Sequence, residues 1–292
     1  MAVTTSVPTS RIVRGANANL AYQGVDADGE PADPGTVTVQ VTRADGSDVK
    51  AAGTATTGSG ANPRKVELLA ADTFQLDVLT AAWSIGGTVV AVTEHEVVGG
   101  VYLSSSEIRA VEPALSSVTE YPVSALITAR QQVEQMFESA CNRAFVPRFR
   151  VDALSGEGQG ALVLRRPDVR RIRFVNVHNG VEFESVDVDE LRVNELGAVV
   201  GYDWPHGFLN IQVGYEYGLD RPPADLRNAA VQAIRAQVNT FRSGIPDRAT
   251  SFQPIDGGNV VLATPGLGPW VTGIPAVDEA IKRYRWRDAA VA

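Results

Sequence analysis

A long segment without glycine or proline, residues 124–143, most constrains what this chain can fold into. Leu126, Val133 and Phe137 recur there at spacings of seven and four residues, which places them on one helical face. The segment predicts an amphipathic helix over about 122–143, roughly 30 Å long. A helix of this length, flanked by strand-like sequence, excludes an all-β fold.

Two further helices are predicted nearer the C-terminus. Pro222-Pro223 opens an alanine-rich stripe that predicts a helix over about 222–243, and a last helix falls within 275–287. We expect Pro147 to end the first helix. The glycine- and proline-rich loop 243–275 is longer than a compact domain usually contains, which favours a functional loop.

The first 100 residues have the pattern of an all-β module. Val37, Val39 and Val41 alternate with polar residues, and the turn sequence Asp45-Gly46 follows them. Short strands with frequent turns predict a small immunoglobulin-like β-sandwich over 1–100. The second domain is predicted over 101–292.

Strand patterns return over 148–217 and predict a β-meander between the two long helices. Asn179-Gly180 is a hairpin turn signal, and the glycine-rich loop 156–160 is interpreted as another hairpin turn. A phosphate-binding loop would have to open a helix, and no helix pattern follows this one. The whole chain is therefore predicted to be an α+β protein.

Composition excludes several classes of function. The 292-residue chain has a formal net charge of -8, which argues against tight wrapping on nucleic acid. One cysteine and three histidines exclude a disulfide framework and disfavour a structural zinc site. No apolar run approaches the roughly 20 residues that span a bilayer. We expect no cofactor, no metal and no membrane contact.

Candidate catalytic groups are few. A glycosidase-like pair could be built from Asp187 or Asp189 with Glu195, but a solvated strand edge is the favoured interpretation. Cys141 lies on the apolar face of its helix and is expected to be a buried, inert thiol. His95 is expected to be a hydrogen-bonded structural histidine. We therefore predict no catalytic residues and no enzyme.

One local run of arginines stands out. Inter-subunit pairing or solvent exposure is favoured over a path for nucleic acid, because no aromatic residues are interleaved. The run forms a possible subunit-interface or channel patch: Arg165, Arg166, Arg170, Arg171 and Arg173.

The C-terminal sequence Arg283-Tyr284-Arg285-Trp286 combines arginine with two aromatic residues. These residue types are enriched where partner proteins bind most strongly. An interface is favoured here over packing on the chain's own core.

The order of the sequence pieces over 121–287 resembles the head-to-tail connector (adaptor) proteins of long-tailed bacteriophages of GC-rich hosts. The most specific pieces are V-x-Y-x-Y-G-x-x-x-x-P-x-D-L, from Val213 to Leu226, and V-D-E-A-I-x-R-Y, from Val277 to Tyr284. The β-region and the N-terminal module depart from the smaller, mainly helical adaptors.

The resemblance implies a non-enzymatic virion protein at the head–tail junction, assembled in the host cytoplasm. Such proteins form a twelve-fold ring between the portal and other neck or tail-completion proteins, around the channel through which DNA leaves without sequence-specific binding. The family's C-terminal segment engages the portal, which implies a docking set here: Asp278, Ile281, Arg283, Tyr284, Arg285 and Trp286.

The N-terminal module leaves an alternative open. A tail-tip or fibre protein with a glycan- or host-binding β-sandwich would account equally well for residues 1–100. The two long helices and the basic, aromatic terminus favour the connector, because a fibre does not need them.

Overall fold

The computed structural model describes residues 10–194, 197–240, 251–252, 260–261 and 272–286. The described chain is a mixed α+β protein with more strands than helices, as predicted. The predicted helix end at 241–243, and most of the predicted loop 243–275, lie outside the described residues. The helices are α1 (Ser105–Val111), α2 (Val123–Cys141), α3 (Ala224–Thr240) and α4 (Pro275–Tyr284).

Local capping sets the limits of the first two helices. The side chain of Ser104 accepts a hydrogen bond from the Glu107 backbone, and Glu107 bonds back to the Ser104 amide, so α1 begins with a capping box. Helix α2 ends at Cys141 because Asn142 adopts the left-handed conformation, with φ 51°. Pro147 was therefore wrongly predicted as the stop signal.

The N-terminal β-rich region contains two sheets. Strands β1, β7, β6, β3 and β4 form the larger sheet in that order, with β1 parallel to β7, and β2 pairs with β5. The immunoglobulin-like topology stays a prediction. The strands are β1 (Ser10–Val13), β2 (Ala18–Tyr22), β3 (Val37–Thr42), β4 (Asp48–Ala55), β5 (Arg64–Leu68), β6 (Asp77–Ile85) and β7 (Thr88–Val98).

One hydrophobic core joins these two sheets. The alternating residues Val37, Val39 and Val41 are buried in it as predicted, with Trp83 fully enclosed beside them. The turn after β3 contains Gly46 at φ 87°, a conformation that favours glycine and explains the predicted hairpin.

The second β-rich region follows α2. Its strands are β8 (Arg148–Gly156), β9 (Ala161–Val163), β10 (Val169–His178), β11 (Phe183–Val186), β12 (Arg192–Val193), β13 (Ala198–Val200) and β14 (Gly207–Tyr217). They form a four-stranded sheet in the order β11, β10, β14, β8 and a three-stranded sheet in the order β12, β13, β9. Two-residue strands β15 (Ser251–Phe252) and β16 (Val260–Val261) pair near the end of the chain.

This region corrects two predictions. It is not a simple meander, because β14 lies between β8 and β10 and pairs with both. The glycine-rich loop 156–160 does connect two strands, but these belong to different sheets and do not pair, so it is not a hairpin turn. The predicted hairpin at Asn179-Gly180 is confirmed between β10 and β11.

The chain folds into two compact units, each built from separate pieces of sequence. The first unit contains residues 1–100 and 146–218, and the second contains 101–145 and 219–292. This grouping differs from the predicted domains, because it joins 148–217 to the N-terminal region. The predicted boundary after Gly100 coincides with a change of unit.

Two ionic contacts tie the sequence pieces of the first unit together. Arg148 on β8 pairs with Glu96 on β7, and both side chains are buried. Arg173 on β10 approaches Asp77 at 3.7 Å and donates a hydrogen bond to the Leu76 carbonyl. A buried carboxylate needs such partners, because burying an unpaired charge is costly.

Candidate partner-docking site

Helix α4 carries the predicted docking residues and packs on the other helices of the second unit. Val277, Ala280 and Ile281 are buried, which fixes the inner face of α4. Asp278 accepts hydrogen bonds at 2.8 Å from both the backbone and the hydroxyl of Thr272, near the start of the helix. Asp278 therefore stabilises the entry into α4.

A single carboxylate fastens the end of α4 to the start of α3. Tyr284 donates its hydroxyl to Asp225 Oδ1 at 2.7 Å, and Arg283 Nη1 donates to Asp225 Oδ2 at 2.7 Å. Asp225 lies in the first turn of α3, where a negative charge interacts favourably with the helix dipole. We call this three-residue contact the Asp225 clasp.

The electrostatics of the clasp follow from these hydrogen bonds. The bond from Tyr284 holds the pKa of Asp225 below its ordinary value, against a smaller effect of burial. Burial, reinforced by the neighbouring carboxylate, raises the pKa of Tyr284. The Arg283 side chain is 58% exposed, so its ion pair is screened and contributes less than about 1 kcal/mol.

The segment after α4 closes over the end of α2. The Trp286 amide donates to the Cys141 carbonyl at 2.7 Å, and the Tyr284 ring contacts Phe145 edge-on at 5.8 Å between centroids. Burial raises the pKa of the Cys141 thiol to about 12, which leaves it un-ionised at neutral pH. This agrees with the predicted inert thiol.

The structure places the six predicted docking residues in different surroundings. Ile281 is buried, Tyr284 and Trp286 are half-buried, and Arg283 and Arg285 are exposed. Packing on the chain's own core therefore accounts for part of this set. Binding to a partner stays a prediction, and the exposed arginines are the residues best placed for it. Arg287 lies outside the described residues.

The arginines of the predicted run lie in different surroundings. Arg173 turns inward toward Asp77 and stacks over the Phe149 ring at 4.4 Å. Arg165 donates to the Ala153 carbonyl beside the middle of β8, while Arg170 and Arg171 lie exposed at the start of β10. Arg173 is therefore the member of this run least available to a partner, and the patch stays a prediction.

The candidate acid pair lies only partly within the described residues. Residues 188–190 form a short 3₁₀ turn instead of a strand, because the Asp187 side chain accepts a hydrogen bond from the Asp189 amide. The strand edge expected at these residues is therefore an exposed turn. Glu195 lies outside the described residues. Among the described residues, no group of three or more histidine, cysteine or acidic side chains could hold a metal ion.

His95 is hydrogen-bonded inside the N-terminal core, in agreement with its predicted structural role. Its two ring nitrogens lie 2.8 Å from the Ser10 hydroxyl and 2.9 Å from the Thr93 hydroxyl, and Trp83 donates to Thr93 in turn. Burial lowers the pKa of His95 to about 4, so the ring is neutral at physiological pH.

Sequence reasoning missed the acidic residues that organise these sites. Asp225 lies within the most specific sequence piece, yet its partners on α4 are nearly sixty positions away. Asp77 and Glu96 carried no local signal, because each has one arginine partner in the N-terminal region and a second one from the later β-region. Hydrophobic periodicity indicates which face of a helix or strand is buried. It does not indicate which charged residues, far apart in the sequence, form ion pairs.

A groove of about 720 Å³ lies beside the hairpin between β10 and β11. Its walls include three carboxylate residues, Glu184, Asp187 and Glu190, together with the ring of Tyr202. Sequence analysis did not predict this groove.

No helix in the described residues is long and apolar enough to cross a membrane.

Neither a protein-family model nor a curated protein matches this sequence. Among solved structures, the chain is similar to one described as "Neck of empty GTA particle computed with C6 symmetry". The match covers 58% of this chain and 82% of that chain, at 12% sequence identity and a TM-score of 0.40.

Proposed function

We propose that this chain is a non-enzymatic structural subunit of a bacteriophage neck, in the ring that joins the portal to the tail. The Asp225 clasp is the observation that carries the proposal. The two sequence pieces that most resemble connector proteins contribute the two sides of this contact. One piece supplies Asp225 and the other supplies Arg283 and Tyr284.

The clasp gives a physical reason for both sequence pieces to occur in one chain. The P-x-D-L sequence places a carboxylate in the first turn of α3, and the R-Y sequence places two donors at the end of α4. Hydrogen bonds to a charged acceptor are among the stronger ones in proteins. The clasp therefore adds to the packing of the buried face of α4, which orients the C-terminal helix.

The outer face of the clasped helix end is basic. Lys282, Arg283 and Arg285 are exposed there. Such a rigid, basic element is suited to an acidic surface, and we propose that it binds the portal. The same basic residues at a helix C-terminus are stabilised by the helix dipole, so presenting them costs little.

The net negative charge of the chain supports a role in lining a channel for DNA. With a net charge of -8, the ring would repel phosphate overall instead of retaining it. We propose that DNA passes through a twelve-fold ring of these subunits without sequence-specific contacts.

Reversal of one exposed charge tests the docking claim. Arg285→Glu in a phage that carries the gene is expected to yield a folded subunit and filled heads without tails. Deletion of residues 276–292 is expected to give the same particles. Arg14→Glu provides the matched control, because Arg14 is also exposed but lies in the first unit.

Electron microscopy of the lysates and infectious titre read out the result. Normal tailed particles from the deletion would reject portal docking by α4. Equal loss of tails from the Arg14 control would show that any charge reversal disrupts assembly, and would also reject it.

A further inference from the structure

The hairpin loop between β10 and β11 contains Asn179-Gly180, the single Asn-Gly sequence in the chain. In such a pair the backbone nitrogen of the glycine can attack the side-chain amide of the asparagine, because glycine adds no side chain to hinder the approach. Attack by the Gly180 nitrogen on the Asn179 side-chain carbon closes a five-membered ring. The turn accounts for the glycine, which has φ 103°, but it does not account for the groups around this pair.

A base lies next to the attacking nitrogen. The Gly180 amide donates a hydrogen bond to His178 Nδ1 at 3.0 Å. A ring nitrogen that accepts a hydrogen bond presents its lone pair to the donor, so Nδ1 is placed to receive the amide proton. The Phe183 ring contacts the His178 ring edge-on, with 5.0 Å between centroids, and restricts its orientation. His178 therefore has the position required of a general base.

Two backbone donors polarise the carbonyl that is attacked. Asn179 Oδ1 accepts hydrogen bonds from the Val181 amide at 2.9 Å and from the Glu182 amide at 3.0 Å. As a structural feature, this is an asparagine side chain that closes its own turn. During attack on the side-chain carbon, negative charge develops on this oxygen, and the same two donors then act as an oxyanion hole.

The leaving group is also held. Asn179 Nδ2, the nitrogen that departs as ammonia, donates a hydrogen bond to the Glu184 carboxylate on β11. This contact fixes the rotation of the side-chain amide, so that its carbonyl keeps both backbone donors during attack. Asn179 and Gly180 are exposed, so water reaches the loop. The nucleophile, the base, the oxyanion donors and the leaving-group contact therefore all lie within residues 178–184.

We propose that Asn179 is a modification site at which this chain deamidates itself, with His178 as the general base. His178 Nδ1 takes the Gly180 amide proton while the Gly180 nitrogen bonds to the Asn179 side-chain carbon, and the carbonyl electron pair moves onto Oδ1. When the carbonyl re-forms, the bond to Nδ2 breaks, Nδ2 takes the proton from His178, and ammonia leaves. Water then opens the resulting succinimide, at one carbonyl to give aspartate and at the other to give isoaspartate.

The product changes the hairpin in one direction. A neutral donor to Glu184 becomes a carboxylate, so a hydrogen bond is replaced by repulsion between two negative groups. Asn179 and Glu184 both line the groove beside this hairpin, so the groove becomes more negative. Water does not restore the amide, and the reaction therefore marks the age of each folded chain. The inference goes beyond the proposed function and does not depend on it, because it needs no partner.

Ageing of the purified full-length chain tests the site. The wild type is incubated at neutral pH, and peptide mass spectrometry with chromatographic separation follows the aspartate and isoaspartate products at position 179. The folded chain is expected to react about tenfold faster, or more, than the same chain unfolded in urea, because only the folded hairpin positions the base. An equal or slower rate in the folded chain overturns the proposal and shows that the loop hydrogen bonds protect the amide.

A histidine substitution tests the role of the base. In His178→Gln, glutamine can still accept a hydrogen bond from the Gly180 amide but cannot take up its proton, so deamidation should slow about tenfold. His206→Gln is the matched control, because His206 lines the same groove while Gly180 donates to His178, and its rate should equal that of the wild type.

Circular dichroism checks that both variants fold. An unchanged rate in His178→Gln, or equal slowing in His206→Gln, rejects His178 as the base. The comparison of folded and urea-unfolded wild type needs no variant, so it decides the proposal even if His178→Gln does not fold.

Discussion

Individual charged residues connect pieces of sequence that are far apart. Asp77 is 1% exposed and lies between Arg43 and Arg173, at 3.5 and 3.7 Å. Burial nevertheless raises its pKa above the ordinary value of 3.8, because loss of hydration outweighs the nearby cations and the backbone donors. Ionisation of Asp77 therefore destabilises the folded state, and the two neighbouring arginines reduce this destabilisation.

Removal of Arg173 should expose this dependence. Arg173→Met is expected to lower the free energy of unfolding by at most about 3 kcal/mol at pH 7, because the buried carboxylate of Asp77 loses one of its two arginine partners and keeps only Arg43. Without the cation, the folded-state pKa of Asp77 rises further, so the destabilisation grows as pH rises and shrinks below the pKa of the folded state. Urea unfolding at several pH values measures it.

Arg171→Met is the matched control on the same strand. Its side chain is exposed, so the change should stay within about 0.5 kcal/mol at every pH. A loss for Arg173→Met that does not depend on pH would show that packing over Phe149, and not the pairing with Asp77, explains the effect.

At the scale of elements, the sequence was sufficient to predict a helix or a turn where a few neighbouring residues determine the backbone conformation. The helices over 123–141 and 224–240 and the hairpin at Asn179-Gly180 were predictable, because helical spacing and a positive-φ glycine act within a few residues. The end of α2 was missed, because Asn142 is a weaker cap signal than Pro147. Strand partners were missed, because β14 joins β8 across more than fifty residues.

The Asp225 clasp should control local opening of α4. Tyr284→Phe removes the hydroxyl that bonds the carboxylate, and we expect about 1 kcal/mol of lost docking, discounted for partial exposure. Amide hydrogen exchange in α4 should then accelerate roughly fivefold while exchange in α2 is unchanged. Arg283→Gln, at a more exposed position, should have a smaller effect. Equal acceleration in α2 would contradict a local role.

At the scale of the whole molecule, each unit is assembled from two separate stretches of chain. Residues 1–100 alone would lack the arginines that pair with Asp77 and Glu96 from the later β-region. The predicted independent N-terminal module therefore has two buried carboxylates with partners in a later segment. The sequence could not reveal this dependence, because the alternation of apolar and polar residues along the strands of one stretch does not depend on the other stretch.

Copy number tests the neck assignment. Quantitative mass spectrometry of purified virions is expected to find one copy of this chain for each portal subunit, because the proposed ring matches the portal. A ratio of one-half or less would reject the neck ring and favour the tail-tip or fibre alternative. Absence from virions would reject every structural role in the particle.

The interleaved units have a consequence for synthesis on the ribosome. Residues 1–100 emerge first, but Glu96 gains Arg148 only later, and the first unit is complete only at residue 218. At about 5–20 residues per second, these roughly 120 further residues take on the order of 6–24 s. The second unit waits longer still, for α4. A prematurely ended chain therefore lacks the Asp225 clasp.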